Sequence, residues 1–128
     1  MTRTLYLSIL TMLLAVAAVP AQAEQLVREF SGSRSMDTAE FEVEAPWVAD
    51  WRVNSDYPSS MGVAIVLVEA GTGVHHGRIV KTKSPGNGVR LMDMSGSFRF
   101  KVDAAVANWT IKVYQLTREE AEQYKPRN

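Results

Sequence analysis

A period of two in the apolar side chains limits what this chain can fold into. In Gly96–Asp103, Phe98, Phe100 and Val102 fall on one side of an extended strand, and Ser97, Arg99, Lys101 and Asp103 on the other. Glu40–Glu44 repeats the pattern, with Phe41 and Val43 opposite three carboxylates. Near the end of the chain, Trp109, Ile111 and Val113 alternate with Thr110, Lys112 and Tyr114. Such alternation reads as half-buried antiparallel strands. Met61–Val68 differs, because it is apolar on both sides. It predicts a central strand covered on both faces, or one wall of a dimer contact. Turn-forming clusters at Ser31–Ser33, Ser55–Pro58, Gly71–Gly73, Ser84–Gly88 and Ser95–Gly96 separate the runs. They leave strands near 25–31, 38–45, 47–54, 61–69, 74–82, 88–93, 96–103 and 108–116. About eight short strands at this spacing predict an all-β fold, an antiparallel β-sandwich of jelly-roll or immunoglobulin-like type.

The two ends of the chain depart from this pattern. Arg3, the apolar run Leu5–Val19 and the small-residue sequence Pro20-Ala21-Gln22-Ala23 read as a secretory signal peptide over 1–23. The run is 15 residues long, short of the ~20 needed to span a bilayer. The expected product is a periplasmic or secreted domain over 24–116, with no membrane span after cleavage. Thr117 and Glu120 have the spacing of a capping box, so a short helix is expected in the tail, 117–128. Its Ala121 and Tyr124 either dock on the sandwich or fray from it.

Composition excludes several chemistries. The chain has no cysteine, so a disulfide scaffold, a thiolate zinc site and a cysteine nucleophile are ruled out. Lysine plus arginine equals aspartate plus glutamate at 14 each, which is not the positive field of a nucleic-acid binder. No phosphate-binding loop, dinucleotide fingerprint or serine elbow is present. No cofactor is expected, and the chain reads as a binding protein, not an enzyme.

The remaining candidates are few. His75 and His76 are adjacent, so in a strand their rings point to opposite faces and cannot easily share one ion. A bulge near Gly73 or Gly77 can re-aim one of them. A metal or hydrolytic site there is the least favoured reading, and no metal ligand is assigned. Glu40, Glu42, Glu44, Asp50 and Asp56 cluster in sequence, but acid catalysis needs a carboxyl that is buried or crowded, and carboxylates on an outward strand face are expected to be solvated. Trp47 and Trp51, four apart, share one strand face about 13 Å apart. With Tyr57 they can form a sugar-stacking platform; as core residues they serve burial instead. Charge is segregated along the chain. Residues 24–56 carry eight acidic and three basic groups, and 78–101 carry six basic and one acidic. Either Glu40, Glu42 and Glu44 pair across strands with Arg99 and Lys101, or Arg78, Lys81, Lys83 and Arg90 form a basic patch for an anionic partner.

Several of these segments also occur in a pattern. Phe30-Ser31-Gly32, Phe41-Glu42-Val43 and Pro46-Trp47 through Trp51, with Gly96–Val102 and Asn108–Val113 at the end, resemble small uncharacterised exported β-sandwich domains of bacteria. The shared positions are mostly core positions, so the resemblance implies a fold and an envelope location and transfers no catalytic residue. The expected function is an exported, non-catalytic interaction module that contacts an envelope protein or polysaccharide. The alternative is a carbohydrate-binding module using Trp47, Trp51 and Tyr57.

Overall fold

The computed structural model describes residues 24–125; the expected signal peptide and the last three residues of the tail lie outside them. The strands are β1 (Gln25–Gly32), β2 (Met36–Asp37), β3 (Phe41–Val43), β4 (Trp47–Asn54), β5 (Gly62–Glu69), β6 (His75–Thr82), β7 (Gly86–Met92), β8 (Gly96–Ala105) and β9 (Asn108–Gln115). A five-residue helix, α1 (Arg118–Glu122), follows. The first sheet has the order β1-β9-β4-β7, and the second the order β2-β8-β5-β6, with β3 also paired to β8. Every pairing is antiparallel.

β2 and β3 lie in succession along one edge of β8, Met36 facing Val102 and Phe41 facing Phe98. They therefore act as one edge strand with an interruption, and the sandwich is eight strands in two sheets of four. Apart from the β5–β6 hairpin, the chain alternates between sheets, in the connectivity of a jelly roll, two Greek keys wound together. Thr38 bridges the interruption. It is 5% exposed, its N–H donates to Phe100 O and its Oγ1 accepts Phe100 N–H, both at 2.9 Å. The side chain thus satisfies a backbone donor that a straight strand would otherwise pair.

The inward faces interdigitate as the alternation requires. Trp47, Ala49 and Val53 of β4 and Trp109, Ile111 and Val113 of β9 meet Val63, Ile65 and Leu67 of β5 and Phe98, Phe100 and Val102 of β8. Phe41 sits at the centre of the aromatic part, stacked on Phe100 at 5.1 Å and edge-on to Trp47 at 5.8 Å between ring centres.

Two tryptophans pack over glycines of the neighbouring edge strands. Trp109 is opposite Gly32 of β1, and Trp51 is opposite Gly88 of β7. A Cβ on either glycine would lie 2.8 Å from the facing indole. Each ring fills the place of the missing side chain, which shields an edge glycine that would otherwise weaken its strand. This explains why Gly86–Gly88, which the sequence reads as part of a turn, belongs to β7.

Helix α1 docks. Thr117 Oγ1 accepts Glu120 N–H, and Glu120 returns a carboxylate to Thr117 N–H, completing the capping box. Ala121 then packs with Leu116 on Val48, flanked by Leu91, Tyr114 and Tyr124. The helix so covers one end of the outer face of the first sheet, and the Tyr124 hydroxyl donates to Glu24 at the beginning of the described chain.

Candidate functional site

The sugar platform is not assembled. Trp47 is wholly buried, its indole N–H donating to Met94 O at 2.8 Å and its ring against Phe41 and Phe98. It shares a face with Trp51, as the spacing requires, but that face is the interior. Trp51 is half-buried over Gly88, and Tyr57 stands exposed in the β4–β5 connection. No flat aromatic pair reaches the surface from these three residues.

The histidines separate, as neighbours on a strand do, and a bulge leaves His76 outside the register. β6 shifts register against β5 twice, once between Ile65 and Val66 and again between Leu67 and Val68. The second shift leaves His75 opposite Val68 on the outside, exposed. His76 turns toward the end of the core instead, edge-on to Phe98 at 5.6 Å and 3.0 Å from Glu69 Oε2. That contact, and a further hydrogen bond from Thr72, hold the Glu69 carboxyl below its ordinary value. The pair lines a cleft of about 380 Å³ with Met94, Ser95 and Ser97. Among the described residues no three of His, Asp, Glu and Cys converge as a metal site would need.

A cleft of about 710 Å³ lies near Pro46 and is lined by Glu42, Glu44, Ser95, Ser97, Gln115 and Arg118, among others. Several of its polar groups are engaged in structure. Ser95 Oγ accepts Ala45 N–H, Ser97 Oγ donates to Glu42, and Gln115 bonds the backbone of Glu44 and Pro46.

The charged strips do not pair as expected. Glu40 falls in the β2–β3 interruption, Glu42 faces Ser97, and Glu44 lies beyond β3. The partner in register with Lys101 is Asp37, and Arg99 instead donates to Ala70 O at 2.8 Å. Among the described residues the ion pairs are His76–Glu69 and Lys125–Glu122. The interruption has shifted the carboxylates away from the cations along β8.

The cations gather instead on the outer face of the second sheet. Outward positions Ala64, Val66 and Val68 of β5 alternate with core-facing Val63, Ile65 and Leu67. In register, Ala64 lies between Lys81 and Asp103, Val66 between Arg78 and Lys101, and Val68 between His75 and Arg99. Arg78 and Lys81 thus flank β5 on one side and Arg99 and Lys101 on the other. The two rows stand about 10 Å apart, two strand spacings. Lys83 extends the β6 row past its end. Arg90 does not join them: it is exposed on β7, the edge of the other sheet, at a register position opposite core residue Ala49. The acidic groups of this face lie at its margin, Asp37 and Glu42 on the opposite edge and Asp103 toward one end. β5 is central, as its sequence predicts, yet no element of the described chain covers this face. Of the two expectations for this strand, cover on both sides by the chain itself or one wall of a dimer contact, the first is not met among the described residues.

No protein-family model matches the chain, and no curated protein matches it. No helix of the described residues is long and apolar enough to cross a membrane.

Proposed function

We propose that the protein is an exported, non-catalytic binding module of the bacterial envelope, and that the outer face of its second sheet holds an acidic polysaccharide. The observation that carries this reading is the pair of cation rows, Arg78 and Lys81 against Arg99 and Lys101, on either side of the small apolar side chains of β5. The rows form a shallow track with positive walls and a floor of the half-buried Ala64 and Val66, closed at one end by the buried Val68. An extended polyanion lying along β5 meets Lys81 beside Ala64, Arg78 and Lys101 on either side of Val66, and Arg99 beside Val68, in steps of about 6.6 Å. Neutral sugars lack a partner here, because no tryptophan, tyrosine or phenylalanine occupies these outward positions. A bilayer is also a poor match, since no large apolar side chain stands among them to enter it. Export rests on the leader-like segment 1–23.

The test is retention on immobilised polygalacturonate against a neutral glucan, as a function of salt. Retention on the acidic polymer is expected to vanish near ~1 M salt, where the Debye length falls to ~3 Å. Lys81→Glu with Lys101→Glu should weaken binding at least tenfold while leaving the strand spectrum unchanged. Equal retention on the neutral glucan, or an unaffected double variant, overturns the reading. Export is read separately, from a periplasmic product whose N-terminal residue is Glu24.

A further inference from the structure

We infer that the free edge of β7 pairs with β7 of a second copy of this chain, joining the two first sheets into one continuous eight-stranded sheet. Sandwich edges offer unpaired backbone donors and acceptors, and soluble proteins usually blunt them with bulges, breaks or charge. Three of the four edges here carry such devices. β1 is bulged between Leu26 and Arg28. The β2–β3 edge is interrupted at 38–40. β6 has two register shifts and presents Arg78 and Lys81. β7 has neither bulge nor break: its seven residues pair with β4 in unbroken register from Met92 to Gly86, and its charge is limited to Arg90. Gly86, Asn87, Val89 and Arg90 are exposed, and Val89 is one of few large apolar side chains left 48% open.

The strand is complementary to itself in one register. An antiparallel pair about a twofold axis at Val89 matches all seven residues and keeps the inner and outer faces of both sheets aligned. On the outside, Val89 meets Val89 of the second copy, and Asn87 meets Leu91. On the inside, Arg90 of each copy falls opposite Gly88 of the other. Gly88 has no side chain, and the half-buried Trp51 ring lies over it. The guanidinium of the second copy thus arrives beside an indole, where a cation–π contact is available. Moving the register by two residues in one direction sets Arg90 against Arg90, and in the other it leaves residues unpaired. This accounts for Arg90 standing apart from the cations of the second sheet.

Sedimentation equilibrium of the purified protein tests the inference. The wild type should rise with concentration from monomer toward twice the monomer mass. Val89→Lys and Val89→Glu each place like charges across the axis and should weaken association at least tenfold. Because Val89 is exposed, both variants should retain the wild-type circular dichroism. An equimolar mixture of the two sets Lys against Glu and should recover the dimer. Leu26→Lys, on the bulged β1 edge, should leave it unchanged. A wild type that stays monomeric at its highest soluble concentration overturns the proposal. So does a Val89→Lys variant that associates as the wild type does, or a mixture that fails to recover.

Discussion

The two tryptophan–glycine pairs make a prediction whose size follows from the geometry. Gly32→Ala and Gly88→Ala place the same methyl group at the same 2.8 Å from an indole carbon, and neither glycine has a positive φ that would add backbone strain. What differs is whether the ring can yield. Trp109 is 2% exposed and its Nε1–H donates to Arg34 O at 3.0 Å, so moving it breaks a hydrogen bond and disturbs the core. Trp51 is half-buried on β4 beside the edge strand β7, and its partly exposed ring can tilt outward. Overpacking a fixed core costs about 1–3 kcal/mol, whereas replacing glycine by alanine returns ~0.4–1 kcal/mol through the unfolded chain. Gly32→Ala is therefore expected to lose about 1–2 kcal/mol, and Gly88→Ala to stay within ~1 kcal/mol of wild type. At roughly 4–8 °C per kcal/mol for a domain of this size, Gly32→Ala lowers Tm by roughly 4–16 °C. Urea unfolding followed by circular dichroism measures both. In a Trp109→Leu background the Gly32→Ala cost should largely disappear, which a double-mutant cycle reads as coupling. Equal costs at the two glycines, or a Gly32→Ala penalty that persists without the indole, would refute the argument.

Three further expectations concern hydrogen bonds and protons. Thr38→Val strands the buried Phe100 N–H and should cost about 1–3 kcal/mol in urea unfolding, while Thr38→Ser, which keeps the hydroxyl, should cost clearly less. Because His76 and Thr72 lower the Glu69 pKa below 4.5, Glu69 contributes stability that is present above pH 4.5 and fades as pH falls through the depressed value. The Tm advantage of wild type over Glu69→Gln should accordingly shrink during acid titration. Tyr124 is pushed up from 10.0 to about 12 by burial first, then by its bond to Glu24 and the charges of Glu24, Asp50 and Glu120. Its contribution is complete below pH 10 and lost toward pH 12, so the stability gap to Tyr124→Phe should narrow over that window.

The strands were legible because each one is written in its own alternation. Phe98-Arg99-Phe100 declares two faces wherever it lies, and the capping box at Thr117 and Glu120 marks a helix start without tertiary help. Partnership between strands is written nowhere locally. Nothing in Ser84–Gly88 shows that Gly88 will lie under Trp51, so a strand end passes for a turn. Likewise Trp47 and Trp51 announce a shared face but not whether that face is the interior, which depends on β8 and β3 arriving opposite. The choice between jelly-roll and immunoglobulin-like order also lies in the pairing of β4 with β7 and β9, residues far apart in sequence.

The same distinction explains the surface. The segregation of acid and base is visible in the sequence, and cross-strand neutralisation is its natural reading if 38–45 runs as one strand beside β8. The chain breaks at Thr38, and that break decides the outcome. Had Glu40 stayed in the ladder, it would have faced Arg99, because Phe41 faces Phe98 and Glu42 faces Ser97. Instead Thr38 satisfies Phe100, Glu40 leaves the sheet, and Arg99 finds a backbone carbonyl. Asp37 and Glu42 lie on the β2–β3 margin and Asp103 at one end of β8, while Arg78 and Lys81 arrive on β6 across the far side of β5. An interruption at one edge thus converts a face that would have been neutral into one with a charge gradient across its strands. Restoring continuity there should matter more to the polyanion than removing any single cation of the opposite edge.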